Sequence, residues 1–167
     1  MTTPSTPSGL TEAQLEVWAS LATLLVRLPA ALDAQLQRDS GLTHFEHGLL
    51  FALDAAPDHT LRLSTLAGYA SSTLSRLSRA TSRLEQKGWV RREIDPADGR
   101  VTLAVLTDSG RDLVARSTPA HHALVRQLVF EPLTDHQARQ LGAISHRIAQ
   151  AVDPAATWTP ARPTQSP

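Results

Sequence analysis

The segment from Arg62 to Arg100 most strongly limits what this chain can fold into. It contains two short helical patterns, the first with Ser64 as its predicted N-cap and the second ending near Gln86. Two runs of strand-forming residues, Trp89 to Ile94 and Val101 to Leu106, then flank a tight turn at Pro96 to Gly99. The order of helix, turn, helix and β-hairpin is that of a winged helix-turn-helix lobe. A brief extended segment, Thr60 to Leu63, is predicted just before it.

The second helix of this pair is predicted from Leu74 to Gln86, with Thr73 as its N-cap and Gly88 as its C-cap. One side carries the residues that can pack inward: Leu77, Ala80, Thr81 and Leu84. The other side carries arginines and hydroxyls and no carboxylate: Arg76, Arg79, Arg83, Ser72, Ser75 and Ser82. This second face is predicted to point to solvent.

An arginine face of this kind suits the major groove of DNA, which admits one helix and offers guanine atoms that arginine can hold with two hydrogen bonds. We expect Ser75 and Arg76 to reach base edges and Arg83 to hold a phosphate. The hydroxyls of Ser72 and Thr73 at the helix start are expected either to contact a phosphate or simply to cap the helix. An isolated arginine stripe is more often a solvated surface, but the adjoining hairpin favours DNA.

The distribution of charge supports this interpretation, although the formal net charge is zero, from 16 basic and 16 acidic residues. Between Arg62 and Arg100 there are eight basic and four acidic side chains, a local charge of +4, and the remainder therefore carries −4. Such a segregated charge presents one attractive face to a polyanion.

Long amphipathic helices are predicted on both sides of the lobe. The first opens with a capping box from Thr11 to Gln14 and has apolar residues at helical spacing: Trp18, Leu21, Leu25, Leu28, Leu32 and Leu36. Pro29 is expected to bend this helix without ending it. A helix toward Phe130, bent or interrupted at Pro119, and a last helix capped at Thr134 add further apolar surface. This surplus predicts an interface with a second copy of the chain.

Four motifs resemble the core of the MarR (multiple antibiotic resistance regulator) family: Leu66-Ala67, Leu84 to Arg92, Asp95 to Arg100 and Leu106 to Arg111. The terminal helices, including Pro119 to His121 and Leu133 to Asp135, fit the same layout, so the resemblance covers nearly the whole folded unit. It implies a mainly α fold with a small β wing, a homodimer and one DNA-binding lobe per subunit. It also implies that Arg100 enters the minor groove and that Asp98 braces the loop, while Gly99 replaces a second arginine common in the family.

The folded domain is expected over residues 10–152, between tails at residues 1–9 and 153–167 that are rich in Pro, Ser and Thr. Trp158, in the second tail, is the one residue there expected to pack on the body. A second helix begins with the capping box Thr43 to Glu46 and is expected to bury Phe45, Leu49, Leu50 and Leu53. The DNA-binding lobe is assigned to about residues 43–107, and the dimerisation helices to about residues 11–39 and 108–152.

Members of the resembled family commonly release DNA when a small, often aromatic molecule binds between the dimer helices and the lobe. Trp18, Phe45 and His47 are the candidate lining of such a pocket, although Trp18 is equally explained as ordinary core. Seven histidines are present, with His44 and His47 three residues apart and His121 beside His122. Because adjacent histidines cannot share one helix face and no cysteine supports them, no metal site is predicted. No cofactor is predicted either.

Several other classes of protein are disfavoured by the sequence. The chain has no cysteine, which excludes disulfides and thiolate chemistry. The apolar run from Val17 to Val26 is shorter than a membrane span, and the N-terminus lacks a signal peptide, so a cytoplasmic protein is expected. The sequence contains neither a glycine-rich phosphate loop nor a nucleophile elbow, so an enzyme is not expected. The leading hypothesis is a dimeric, ligand-responsive repressor on a palindromic operator in double-stranded DNA, and the alternative is a winged-helix protein-interaction module without operator binding.

Overall fold

A computed structural model describes residues 9–153. The elements run in the order α1 (Glu12–Ser40), α2 (His44–Asp54), β1 (Thr60–Arg62), α3 (Leu63–Tyr69), α4 (Leu74–Gln86), β2 (Val90–Asp95), β3 (Asp98–Leu106), α5 (Asp108–Val125) and α6 (Asp135–Val152). A 3-10 turn, Pro57–His59, precedes β1, and a π-helical turn, Arg126–Phe130, follows α5. This mainly helical fold with a small β wing confirms the predicted fold class. Trp158 lies outside the described residues.

The three strands form one antiparallel sheet in the order β1-β3-β2. Strands β2 and β3 form the predicted hairpin, in which Val90 is paired with Leu106. The extended segment predicted before the first short helix becomes β1, where Thr60 is paired with Val105. The sheet therefore ties the start of the helix-turn-helix to the wing.

The helix starts largely follow the sequence signals. Capping boxes are present at Thr11, Thr43 and Thr134, each with the hydroxyl accepting from the backbone N–H three residues on and a reciprocal side-chain bond. Ser64 is not an N-cap, because α3 already begins at Leu63 and Arg62 occupies the cap position without a side-chain bond. Pairing of β1 with β3 fixes the chain up to Arg62, and the N-cap lies two residues before the predicted one.

Neither internal proline ends its helix. Pro29 lies inside α1 and Pro119 inside α5, and both helices continue beyond them. The interruption predicted at Pro119 is found instead at the π-helical turn Arg126–Phe130. A proline removes a single backbone hydrogen bond, and long packed helices retain enough others to continue.

The core is a leucine-rich cluster inside the lobe. It includes the fully buried Leu42, Leu50, Leu66, Leu77 and Leu84, and the end of α1 and the start of α5 also contribute to it. Phe45, predicted to be buried, is only partly so and packs against the edge of the cluster. The core thus holds the buried face of α4 in place.

The terminal helices bury much less. In the described residues, α6 contributes no buried side chain and α1 buries three of its 29 residues. Their exposed large apolar residues include Val17, Trp18, Leu24, Leu25 and Val26 on α1 and Ile144, Ile148 and Val152 on α6. These faces have no partner within residues 9–153.

Helix α1 is also long and apolar enough to cross a membrane by length and composition, with a mean hydropathy of 1.5 over its most apolar window. The sequence prediction that the apolar run is too short was wrong on this criterion, because it stopped at Val26, whereas the helix continues to Ser40. One such helix is weak evidence for a membrane span.

Candidate nucleic-acid interface

Helix α4 is held with one face in the core and the other in solvent. Leu77, Ala80, Thr81 and Leu84 are buried, as the sequence predicts. The hydroxyl of Thr81 is satisfied locally because it donates to the carbonyl oxygen of Leu77 at 2.9 Å. The arginine side therefore faces outward.

Arg76 and Arg79 are exposed and form no ion pair with any carboxylate among residues 9–153. The guanidinium carbon of Arg76 lies 4.3 Å from the centroid of the Phe45 ring, a cation–π contact that orients the side chain and leaves its charge in place. Nε of Arg79 donates to the carbonyl oxygen of Ser75 at 3.4 Å. Both guanidinium groups keep free N–H donors.

Arg83 differs from its two neighbours. Its Nε donates to Oε1 of Glu46 on α2 at 2.9 Å, with the arginine side chain 55% exposed and the glutamate 7%. The expectation that no carboxylate serves this face was wrong for Arg83, because the partner lies 37 residues away in sequence. Burial alone would raise the pKa of Glu46, but hydrogen bonds from Thr43 and Arg83 outweigh it and lower the pKa.

The hydroxyl groups at the start of α4 have different surroundings. Thr73 caps the helix, its Oγ1 accepting from the backbone N–H of Arg76 at 3.3 Å. Ser75 is exposed and Ser72 half-buried, with the Ser72 hydroxyl donating to the carbonyl oxygen of Thr73 at 3.4 Å. Ser71 has a φ of 44°, so the turn into α4 places a non-glycine residue in the left-handed region.

The hairpin tip presents one cation. Oδ1 of Asp98 accepts from the backbone N–H of Arg100 at 3.1 Å and from its Nε at 3.2 Å, and the Arg100 side chain is 91% exposed. These two bonds lower the pKa of Asp98. The adjacent Asp95 accepts from the backbone N–H of Ala97 at 2.9 Å, which closes the turn.

The other arginines of this segment are tied to carboxylates. Arg62 pairs with Asp95 at 3.2 Å, and Arg91 pairs with Glu93. Arg92 is held by Glu85 through its backbone N–H and its guanidinium group, which fastens β2 to the end of α4. Sequence spacing alone does not reveal these pairs. Between Arg62 and Arg100, the cations without a carboxylate partner are Arg76 and Arg79 on the arginine face and Lys87, whose Nζ donates to the carbonyl oxygen of Gly41 at 3.1 Å.

A cavity of about 710 Å³ lies beside the arginine face. Its lining comes from α1, α2, α3 and α4 and includes Phe45, Tyr69, Arg76 and Arg79. Of the three predicted pocket residues only Phe45 belongs to it.

The other two predicted pocket residues lie elsewhere. Trp18 is 54% exposed on α1, where it neither lines this cavity nor forms part of the core. His47 is 3% exposed and packs among other histidines. The prediction grouped the three because all lie on the first two helices, but their side chains leave those helices in different directions.

The fold and this surface define a DNA-binding regulator of the winged helix-turn-helix class. Residues 42–102 match the MarR family. The chain is 34% identical over 129 residues to the uncharacterized HTH-type transcriptional regulator YxaD of Bacillus subtilis (strain 168), covering 77% of this chain and 88% of the relative. This chain belongs to the MarR family of transcriptional regulators, as its motifs indicate, and hence to a class of DNA-binding regulators and not of enzymes.

Solved structures of similar proteins share the whole architecture. Sco3205, a MarR family transcriptional regulator from Streptomyces coelicolor whose crystal structure is in complex with DNA, is 44% identical with a TM-score of 0.87, covering 90% of this chain and 94% of that one. AbsC, a MarR family regulator from the same organism, is 29% identical with a TM-score of 0.83, covering 86% and 97%. The similarity therefore extends through the terminal helices as well as the lobe.

Proposed function

We propose that this protein is a cytoplasmic, homodimeric repressor that binds a palindromic operator and is released by a small aromatic ligand. The observation that carries the proposal is the exposed pair Arg76 and Arg79, free of carboxylates, on the outward face of α4. The DNA complex of Sco3205 supports it, because that protein is 44% identical to this one.

In this proposal α4 occupies the major groove. Ser75 and Arg76 contact base edges, and Arg79 follows one turn further along the same face. Arg83 contacts a phosphate with its terminal nitrogens while Glu46 holds its Nε, so the ion pair positions the guanidinium group. Ser72 and Thr73 are assigned to a phosphate at the start of the helix.

The wing is proposed to contact the neighbouring minor groove. Among the ion pairs of residues 9–153, Arg100 is the most exposed cation. Its bond to Asp98 fixes the direction in which its side chain extends from the hairpin. Narrow minor grooves attract arginine because their negative potential is enhanced.

Dimerisation explains the apolar surfaces of the terminal helices. Val17, Leu25 and Val26 on α1 and Ile148 on α6 are between 45% and 71% exposed in the single subunit. Exposed large apolar residues in such number are typical of an interface. Two lobes on successive major grooves would read half-sites about 10 base pairs apart.

The cavity beside α4 is the proposed ligand site. Phe45 and Tyr69 offer aromatic surface. Three arginines and one carboxylate, Asp33, give the lining a net positive charge, so an aromatic anion fits it. A ligand held there would compete with DNA for the same guanidinium groups. Its differential affinity for the free protein would shift the equilibrium away from the operator.

Operator binding is tested by fluorescence anisotropy on DNA from the region upstream of the gene, at several salt concentrations. We expect binding that prefers one sequence and weakens steeply with salt. Arg76→Ala should cost about 1 to 3 kcal/mol and relax the preference at one base pair, because a two-bond contact to a base is lost. Arg139→Ala, which removes an exposed arginine from α6, is the matched control and should change little.

Two results would contradict the proposal. One is the absence of selective binding at low salt, and the other is Arg76→Ala and Arg79→Ala variants that retain full cellular activity. The second result would favour a winged-helix module that binds another protein.

Ligand release is tested with benzoate and phenol as probes. Benzoate should raise the melting temperature of the free protein and lower its operator affinity, because a ligand stabilises the state that it binds. Phe45→Ala should weaken both effects, and Trp18→Ala, outside the cavity, should leave them unchanged. Equal weakening by both substitutions would place the ligand elsewhere.

A further inference from the structure

The first turn of α2 contacts two arginines of the neighbouring helix α4. The guanidinium carbon of Arg76 lies 4.3 Å from the centroid of the Phe45 ring, and Oε1 of Glu46 accepts from Nε of Arg83 at 2.9 Å. Arg76 and Arg83 are seven residues apart, close to two helical turns, so both lie on the flank of α4 that faces α2. Two adjacent side chains of α2 therefore set the direction of two cations on the arginine face.

Arg79, the third arginine of this face, is oriented in another way. Its Nε donates to the carbonyl oxygen of Ser75, on its own helix, at 3.4 Å. It follows Arg76 by three residues, which turns it by about 60° around the helix axis from the flank beside α2. The direction of Arg76 thus depends on a distant part of the sequence, whereas that of Arg79 does not.

The Phe45 ring is itself held firmly. It is half-buried and packs against the leucine-rich core. It also lies within the capping box of α2, where the Thr43 hydroxyl accepts from the backbone N–H of Glu46 at 3.0 Å and Oε2 of Glu46 accepts from the backbone N–H of Thr43 at 3.0 Å. Core packing and the fixed first turn keep the ring in one place, while Arg76 in front of it is exposed.

The contact leaves the donors of Arg76 available. The attraction between a cation and an aromatic ring acts through the face of the ring and uses no hydrogen bond. The hydrogen bond that Arg76 donates within residues 9–153 comes from its backbone N–H, which binds Oγ1 of Thr73 at 3.3 Å. The ring consequently restricts the rotamers of the side chain without occupying an N–H group of the guanidinium.

We propose that Phe45 is a positioning residue that sets operator specificity through Arg76. A guanidinium group already held in one direction loses less rotamer entropy when it binds DNA. A two-bond contact to guanine requires the planar group in one orientation, so a ring that fixes this orientation favours the correct base pair over the other three. The inference rests on the proposed function, because it requires that Arg76 contacts a base edge.

Specificity is measured with the full chain on a duplex that the unaltered protein selects from random-sequence DNA, and on all single-base-pair variants of that duplex. Phe45→Leu should reduce the preference about two- to fivefold at the base pair that Arg76→Ala also affects, which is the size of a cation–π contact at an exposed site. Phe45→Tyr keeps a ring and should keep the preference. Phe51→Leu, the same change on the same helix, is the matched control, because the Phe51 ring packs on His47 and His122.

A double-mutant cycle shows whether Phe45 acts through Arg76. Phe45→Leu should cause no further loss in a chain that already carries Arg76→Ala, and its loss should add to that of Arg100→Ala on the wing. The salt dependence of Phe45→Leu should match that of the unaltered protein, because no charge is removed. A loss spread equally over all base pairs, or a gain in affinity because the ring had competed with DNA for Arg76, would overturn the proposal.

A measurement without DNA distinguishes this proposal from the proposed function. In NMR spectra of the free protein, the δ protons of Arg76 should be shifted upfield by the Phe45 ring, and Phe45→Leu should remove this shift while the Arg79 protons keep theirs. Unshifted Arg76 protons would overturn the proposal even if the protein binds its operator selectively. Shifted Arg76 protons in a protein that selects no sequence would contradict the proposed function and, with it, the role of Phe45 in specificity.

Circular dichroism checks that each variant is folded. If Phe45→Leu does not fold, Phe45→Met replaces it in both experiments, because methionine lacks a ring and adapts to irregular space at the edge of a core.

Discussion

The lobe and the terminal helices use the same kinds of apolar residue in opposite ways. In the lobe, Leu50, Leu66 and Leu77 are no more than 1% exposed. On the terminal helices, Leu25 is 59% exposed and Ile148 is 45% exposed. The lobe therefore completes its own core within one chain, whereas the terminal helices carry apolar surface that a single subunit leaves in water.

This difference separates what holds the fold from what is available for assembly. Burial in the lobe stabilises the outward face of α4 by fixing its other face. The exposed faces of α1 and α6 contribute little to the stability of the single subunit, and burial by the second subunit proposed above would add to it. Substitutions in the two regions should consequently respond differently to protein concentration.

The largest expected effect is in the core. Leu50→Ala should lower the free energy of unfolding by about 2 to 5 kcal/mol, because it opens a cavity in close-packed surroundings. Leu25→Ala should cost much less in dilute protein, with a cost that rises as the protein concentration is raised. Urea unfolding at several concentrations measures both. If both variants lose the same free energy of unfolding, and the loss does not depend on protein concentration, the two regions do not differ in this way.

The stability of the contact between α2 of the lobe and α5 of the terminal helices should depend on pH. The pKa values of His47 and His121 are lowered to about 4 in the native protein. Histidine in the unfolded chain has a pKa of about 6.5, so below that pH the unfolded chain binds more protons than the native protein. Stability is thus retained above pH 6.5 and lost as the pH falls toward 4, by about 2 kcal/mol for each of the two rings at pH 5.

Urea unfolding in chelator between pH 7.5 and 4.5 checks this loss. His136→Ala, on an exposed position of α6, should leave the pH profile unchanged. His121→Asn should make it shallower without abolishing it, because burial still lowers the pKa of His47. If the free energy of unfolding of the unaltered protein does not change with pH, protonation of these two rings does not destabilise the fold.

Two glycines give a smaller, matched contrast. A Cβ at Gly110, where α5 joins the lobe, would lie 2.2 Å from the carbonyl oxygen of Trp89, so Gly110→Ala should destabilise by about 1 to 3 kcal/mol. A Cβ at Gly142 in α6 meets nothing within 4 Å, so Gly142→Ala should stabilise by about 0.5 to 1 kcal/mol through helix propensity. Thermal unfolding compares them, and the same sign for both would contradict the assignment.

Features fixed by local sequence could be predicted. The bounds of α4, its two faces and the capping boxes at Thr11, Thr43 and Thr134 all follow from contacts within one helical turn, and the structure confirms them. The hairpin follows from alternation and its turn residues. The N-cap at Ser64 was wrong because strand pairing, a contact with distant sequence, decides where α3 begins.

Features created by the fold could not be predicted. Glu46 and Arg83 are 37 residues apart, and His121 is 86 residues from Gln35, so neither pair has a signature in sequence spacing. Trp18 and His47 do not line the cavity beside α4, because the direction in which a helix presents a side chain depends on what packs against it. The arginine face could be recognised, but which of its charges stay free depends on α2.

The two carboxylate oxygens of Glu46 accept hydrogen bonds from different helices. Oε2 accepts from the backbone N–H of Thr43 at 3.0 Å, which closes the first turn of α2, and Oε1 accepts from Arg83 at 2.9 Å on α4. A substitution of Glu46 therefore affects two helices together, because it removes one bond of the α2 capping box and the ion pair that holds Arg83 on α4. A substitution of Arg79 meets no such constraint, because its guanidinium group bonds only to the carbonyl oxygen of Ser75 on its own helix.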